Sequence, residues 1–298
     1  MTALAARELR ARARRRVVTA LGLRFWDPAL DCQVTDALRV IAIPLPGGEP
    51  RIDAYRTPSG IYAFHGLPGL RTYEYPQDDA PPTSPPLTRT FLIQVLDGAG
   101  RFLPTLLRVA APFSGVYPTG LATGSPASGP PGLYLFSAPT RNPSSGPAVI
   151  RAQLAAVTAG GTARPAAHAV LEVYLGGTLL QLGIADPQGS VAIFMPYPAF
   201  APSSPGSVSP PTAATPRQSW TLGVRARFQP SVLNRPAGPL PELRSIVAQT
   251  AAPFLVPDGV GVDQPVAELT ADLVFGQELV LRTGTDARLF LGSAATSP

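Results

Sequence analysis

Few side chains in this sequence have the type and spacing to do chemistry. The two histidines, His65 and His168, lie far apart, and neither has a Cys, Asp or Glu at metal-ligand spacing. Cys32 is the single cysteine, which excludes an intramolecular disulfide and a thiolate metal site. Asp78 and Asp79 sit in a proline-rich stretch with no other ligand type beside them, so they read as solvated. Asp258 and Asp263 bracket a glycine-containing loop, but they are two acids where calcium takes about six or more oxygens. The chain has no Gly-x-Ser-x-Gly elbow and no His-Glu-x-x-His pair, and without a single Lys it has no phosphate loop. No set of side chains combines nucleophile, base and orienter. The expectation is a non-enzyme with no metal and no cofactor.

The one concentrated charge is at the N-terminus. Residues 1–24 hold seven Arg against Glu8, a balance of +6 within a chain of net +5, so the rest carries −1. Arg7, Arg10, Arg12, Arg14, Arg15 and Arg16 are the candidate partner-binding residues, because guanidinium forks suit carboxylate or phosphate. Residues 2–16 favour helix in propensity, and Leu9, Ala13, Val17 and Leu21 fall at i+4 spacing. The arm is expected to be helical or disordered. Val17–Leu23 is far too short to cross a bilayer. It stops at Arg24 with no small-x-small cleavage site, so neither membrane insertion nor a signal peptide is expected.

Behind the arm, the elements read as strands. Pro58 and Gly60 set a turn that leads into an apolar strand, Ile61–Phe64, which ends at a corner containing Pro68 and Gly69. Downstream the turn recurs at Pro187 and Gly189, opening Ser190–Met195. A second period-two strand is expected from Leu70 to Tyr75. Leu21, Leu23 and Phe25 alternate along one strand, and Leu38–Ile43 forms another. Asp97 and Gly98 between apolar runs mark a hairpin spanning Thr90–Val109. Pro104 places its second strand at a sheet edge or a bulge. Leu133–Phe136 opens a second series, with strands at Val149–Val157, His168–Leu175, Leu179–Ile184 and Val191–Met195. Trp220, Leu222, Val224, Ala226 and Phe228 share one face of a further strand. Glu242–Gln249 reads as a short helix, and Val266–Arg282 as a hairpin around Phe275-Gly276.

Pro and Gly supply 37 and 28 residues, clustered between apolar runs in a chain that is 45% hydrophobic. That pattern fits ordered β-structure with rigid loops. The fold class expected is all-β: two antiparallel β-sandwich domains of immunoglobulin or transthyretin type. The basic arm occupies 1–20, the first sandwich 21–113, and a Gly/Pro/Ser linker 114–132. The second sandwich occupies 133–284 with a Pro-rich loop at 201–216, and a tail runs over 285–298. The strands lack a basic stripe interleaved with exposed aromatics, so nucleic-acid binding rests on the arm alone and is not expected.

The stretch Thr57–Gly69 resembles carboxypeptidase-regulatory-like domains, which are transthyretin-like sandwiches. The second copy keeps the turn and strand but ends Met195-Pro-Tyr-Pro198 without the corner glycine. That resemblance implies an accessory module without catalysis. Leu23–Asp27, His65–Gly69, Asp97–Pro104, Leu135–Thr140 and Arg217–Trp220 are similar to segments of proteins encoded with extracellular contractile injection systems, which are phage-tail-like particles. This implies a structural subunit at the baseplate or cap end whose partners are other protein subunits, not a small-molecule substrate. It also implies assembly in the cytoplasm, with release as part of an extracellular particle left open. Two rivals stand beside it. One is a carbohydrate- or surface-binding module using Tyr55, Tyr73, Tyr75 and Tyr197. The other is a tether from the arginine arm to an anionic polymer.

Overall fold

The computed structural model describes residues 18–75, 87–113, 132–143, 146–157, 162–199, 218–257, 263–284 and 286–292. Arg7, Arg10, Arg12, Arg14, Arg15 and Arg16, the Asp78-Asp79 pair, the linker up to residue 131, the 201–216 loop and the end of the tail lie outside the described residues, as does Asp258. The chain is all-β and divides into two compact units. Unit 1 comprises residues 1–26, 33–98 and 104–134, and unit 2 comprises 27–32, 99–103 and 135–298.

Unit 1 is built from β1 (Leu21–Leu23), β2 (Phe25–Asp27, as far as Trp26), β3 (Cys32–Val34, from Gln33), β4 (Leu38–Pro44), β5 (Ile52–Asp53), β6 (Tyr55–Arg56) and β7 (Tyr62–Phe64). The helical turn α1 (Arg71–Glu74) follows, then β8 (Arg89–Asp97), β9 (Thr105–Ala111) and β10 (Leu133–Tyr134). They form three sheets, ordered β1-β7-β6, β10-β2-β3 and β5-β4-β8-β9. Leu21, Leu23, Phe25, Phe64, Phe91 and Ile93 are fully buried. Each such side chain contributes about 1.5–3 kcal/mol by leaving water. Phe25 and Tyr62 meet edge to face at 5.4 Å.

Three expectations for this unit need correction. The alternation over Leu21–Phe25 holds, but the strand breaks at Arg24. β1 pairs antiparallel with β7, and β2 pairs in parallel with β10. The Arg24 carbonyl accepts from the Leu133 amide at 2.7 Å, so the chain changes sheets there. Leu133–Tyr134 accordingly belongs to unit 1 and does not open the second series. The strand expected over Leu70–Tyr75 is instead α1. Gly66 and Gly69 both take positive φ, and Leu67 and Leu70 are buried. A helical turn then carries the Glu74 carboxylate back onto the corner, where it accepts from the Gly66 amide at 2.8 Å and the Leu67 amide at 3.3 Å. A strand would alternate Glu74 away from those donors. The Asp97-Gly98 hairpin forms as read, joining β8 to β9. Pro104 lies just before β9, the terminal strand of its sheet, where a missing donor costs nothing.

Unit 2 contains β11 (Ala148–Val157), β12 (Ala163–Pro165), β13 (Val170–Leu175), β14 (Thr178–Ile184), β15 (Ser190–Met195) and β16 (Ser219–Arg227). After α2 (Leu243–Val247) come β17 (Ala251–Ala252), β18 (Phe254–Pro257), β19 (Asp263–Val266), β20 (Leu269–Val274), β21 (Leu279–Val280) and β22 (Arg288–Leu291). One sheet is ordered β12-β11-β22-β18-β19, with β15 and β21 also on β11. The other is ordered β14-β13-β16-β17, with β20 also on β16. Ile150, Leu154, Ile193, Phe254 and Leu289 from the first sheet pack with Leu171, Val173, Leu222, Val224 and Leu273 from the second. One core between two sheets makes a sandwich. Along β16, Trp220, Leu222, Val224 and Ala226 are buried while Thr221 and Arg225 are exposed, as the alternation requires.

The hairpin expected around Phe275-Gly276 does not form. A turn is present, with Gln277 N–H donating to the Val274 carbonyl at 3.1 Å. However, β20 pairs with β16, and β21 and β22 both run parallel to β11. Leu281, which follows β21, is buried in the shared core, and so are Leu289 and Leu291 of β22. The pairing is therefore set by which apolar residues the sandwich takes in, with no hairpin to fix its direction.

Candidate functional site

The repeated turn is reproduced atom for atom in its backbone. In unit 1 the Gly60 amide donates to the Thr57 carbonyl at 2.9 Å, and the Thr57 amide to the Ile61 carbonyl at 2.8 Å. In unit 2 the Gly189 amide donates to the Asp186 carbonyl at 3.0 Å, and the Asp186 amide to the Ser190 carbonyl at 2.8 Å. Both glycines take the left-handed φ that closes such a turn, +75° and +84°. Pro58 and Pro187 preset the preceding φ. The first turn residue also binds its own loop. Thr57 Oγ1 accepts from the Ile61 amide at 3.0 Å, and Asp186 Oδ1 accepts from the Ser190 and Gln188 amides, each at 2.9 Å.

The densest polar site in unit 2 escaped the sequence reading. Arg141 forks onto Asp27, with Nη1 to Oδ1 at 3.1 Å and Nη2 to Oδ2 at 2.7 Å. It also donates to Ser137 Oγ at 3.0 Å. Asp27 Oδ1 accepts in addition from the Ala29 amide at 2.9 Å. Both side chains of the pair are buried. The guanidinium is held between the rings of Phe102 and Phe194, at 5.1 and 4.9 Å from their centroids. Arg151 lies over the far side of this cluster, 5.6 Å from the Phe194 centroid. It donates to the Pro139 and Arg141 carbonyls and pairs with Glu278 at 2.9 Å. Asp27 and Arg141 are 114 residues apart. The only local signal was Asp27-Pro28 at a strand end. Cys32, close by, is exposed, and its thiol is pushed up by partial burial and then by the Asp27 charge. That disfavours the thiolate a nucleophile needs.

A second polar row covers the outer face of the five-stranded sheet. Glu172 pairs with Arg227 and accepts from the Tyr174 hydroxyl at 2.9 Å. Burial, then that hydrogen bond, pushes the Tyr174 phenol up. Arg225 lies 4.4 Å over the Tyr174 ring and pairs with Glu268 at 2.6 Å. The two arginines on this solvent-facing side are thus each held by an acid, and Glu268 in turn covers Gly223. This arrangement ties strands together; it does not gather groups about a reacting atom.

The remaining sequence candidates are dispersed. His65 is exposed and stacks on Tyr55, ring centroids 4.8 Å apart. His168 is buried in unit 2 at φ +62°. Tyr73 and Tyr75 are half-buried, and the Tyr197 hydroxyl accepts from the Gly276 amide at 2.9 Å. Among the described residues no group of three or more His, Cys, Asp and Glu side chains is placed to hold a metal ion. Among them no helix is long and apolar enough to cross a membrane.

No protein-family model matches the chain, and no curated protein matches it. Solved structures that overlap it include the following two, both of low similarity. The Bacillus anthracis TIE protein is 9% identical over 87% of this chain and 44% of its own, with a TM-score of 0.22. BcpA, the major pilin subunit of Bacillus cereus, is 8% identical over 93% of this chain and 59% of its own, with a TM-score of 0.17. This chain therefore spans less than two thirds of either, and at such scores the overlap adds nothing to the strand pairings described above.

Proposed function

We propose that this chain is a non-enzymatic structural subunit of a contractile, phage-tail-like injection particle, at the baseplate or cap end, working through subunit–subunit contacts. The observation that carries the reading is how the polar groups are used. Asp27 with Arg141, Glu172 with Arg227, Arg225 with Glu268 and Glu74 with two amides each fasten one strand or corner to another. None of these groups is left over to act on a substrate. The resemblance of Leu23–Asp27, His65–Gly69, Asp97–Pro104, Leu135–Thr140 and Arg217–Trp220 to proteins of such particles supplies the assembly. Its partners would be other protein subunits. The test is affinity capture of the full chain from cells expressing the neighbouring genes. Recovery of a sheath or tube protein supports the reading, and a chain that never enters a particle refutes it.

A second reading, a saccharide-binding module, is favoured by the exposed Tyr55 stacked on His65. A glycan array separates the two, because a structural subunit shows no saccharide selectivity.

A further inference from the structure

The two sheets of unit 2 approach each other along one side, where β20 of the five-stranded sheet meets β21 of the seven-stranded one. On β20 Leu273 is fully buried, so the alternation turns Asp272 and Val274 the other way. From β21 onward Leu281 and Thr283 are buried, which turns Val280 and Arg282 outward. Between the two strands lies a cleft of about 290 Å³, lined by Asp272 and Val274 from β20 and by Glu278, Leu279, Val280 and Arg282 from the β21 segment. That volume sits at the lower end of the range of about 300–1,000 Å³ that holds small molecules.

The charges in this cleft are used differently from those around it. Glu172, Glu268 and Glu278 each hold an arginine, so the Glu278 carboxylate reaches the cleft already neutralised by Arg151. Asp272 has no such partner. Its Oδ1 accepts from the Thr221 hydroxyl at 2.7 Å, and no described cation pairs with it. Arg282 has neither a hydrogen bond nor an ion pair with any described residue. Both side chains line the one cleft, yet they do not pair with each other. Val280 stays 44% exposed beside them, and Val274 and Leu279 add apolar surface. A carboxylate and a guanidinium held apart in this way complement a molecule that carries both signs and a hydrocarbon part.

We propose that this cleft binds a free α-amino acid with an apolar side chain, its ammonium on Asp272, its carboxylate in the fork of Arg282 and its hydrocarbon against Val274 and Val280. Charge selects this class. A neutral sugar uses neither ion, a simple cation meets the repulsion of Arg282, and a simple anion meets that of Asp272. Only a zwitterion satisfies both groups at once. The ligand is held without turnover, because no nucleophile and base stand together here. This inference goes beyond the particle reading and does not depend on it.

Titration calorimetry of the full chain at millimolar ligand tests it, with L-leucine, L-valine and L-methionine as probes and circular dichroism confirming that each variant is folded. At least one of the three is expected to bind at a single site. Two analogues of leucine, 3-methylbutylamine without the carboxylate and 4-methylpentanoate without the ammonium, are expected to bind about tenfold or more weakly. Arg282→Gln is expected to weaken the amino acid by a similar factor while leaving the amine unchanged. Asp272→Asn is expected to weaken it likewise while leaving the carboxylate analogue unchanged. That crossed pattern assigns each charge to its partner, which a general loss of stability does not do. A chain that binds none of the three amino acids overturns the proposal, as does binding that both variants leave intact. Neither result touches the particle reading, which the capture experiment decides separately.

Discussion

Units 1 and 2 use one turn and bury one kind of charge, yet each does so differently. In unit 1 the Thr57–Ile61 turn joins β6 to β7 within a single sheet, and what stands over Gly60 is side chain, Thr35 and Gln33. In unit 2 the Asp186–Ser190 turn carries the chain from the five-stranded sheet to the seven-stranded one. There Gly189 is pressed against backbone, its carbonyl accepting from the Leu154 amide at 2.7 Å. The buried carboxylates diverge in the same way. Glu74 is satisfied by amides seven and eight residues away, and Asp27 by a guanidinium 114 residues away. Local satisfaction stabilises a corner, whereas distant satisfaction stabilises the whole unit.

The largest effect follows from that difference. Arg141→Ala leaves Asp27 buried and unpaired, and is expected to cost about 3–5 kcal/mol in urea unfolding. The double variant Asp27→Leu with Arg141→Met removes both charges and is expected to recover most of that loss. A double variant as unstable as the single one would show that the packing between Phe102 and Phe194 matters more than the charge. Next in size is the contrast between the two turn glycines. A Cβ at Gly189 would lie 2.3 Å from the Leu154 carbonyl oxygen, which cannot give way. One at Gly60 would meet the Thr35 methyl at 2.6 Å and the Gln33 amide at 2.7 Å, both ends of side chains that can turn aside. Gly60→Ala should lose about 1–2 kcal/mol from left-handed strain alone. Gly189→Ala adds overpacking and should lose about 3 kcal/mol or more. Equal losses would mean the two turns are seated alike.

The third prediction concerns the local side of the comparison. Glu74→Gln keeps one acceptor but turns an amide donor toward a backbone N–H, which costs about 1–3 kcal/mol. Fluorescence from Trp26 in unit 1, read in a Trp220→Phe background, should register that loss. If it does not, the corner is held by Leu67 and Leu70, with the carboxylate incidental.

These differences also mark where the sequence is readable. Alternation in Trp220–Ala226 and the paired turn residues are short-range patterns with direct steric causes, and they place strands and turns correctly. Leu70–Tyr75 also alternates, but its period-two pattern is overridden because Glu74 has two amides to reach. Nothing near Asp27 or Arg141 reports their meeting, since a contact across 114 residues depends on how both sheets close. The parallel return of β21 and β22 to β11 is hidden for the same reason.

The smallest effect separates the two histidines. His65 in unit 1 is exposed on Tyr55, whereas His168 in unit 2 is buried, its amide donating to the Ala185 carbonyl and its own carbonyl accepting from Gln249 at 2.7 Å. Burial, then the positive charge of Arg235, holds the His168 imidazole below its ordinary value, and Asp186 opposes them. The unfolded chain therefore binds the proton at a higher pH than the folded one does. Stability is fully present above about pH 6.5, the ordinary histidine value, and is lost as pH falls through the depressed folded value. His168→Asn removes the titrating group, and Asn accepts the left-handed φ of +62° that this position requires. Urea midpoints followed through Trp220 in a Trp26→Phe background should fall with acidification in the wild type and fall less in His168→Asn. Identical slopes would mean that the acid response of unit 2 arises elsewhere.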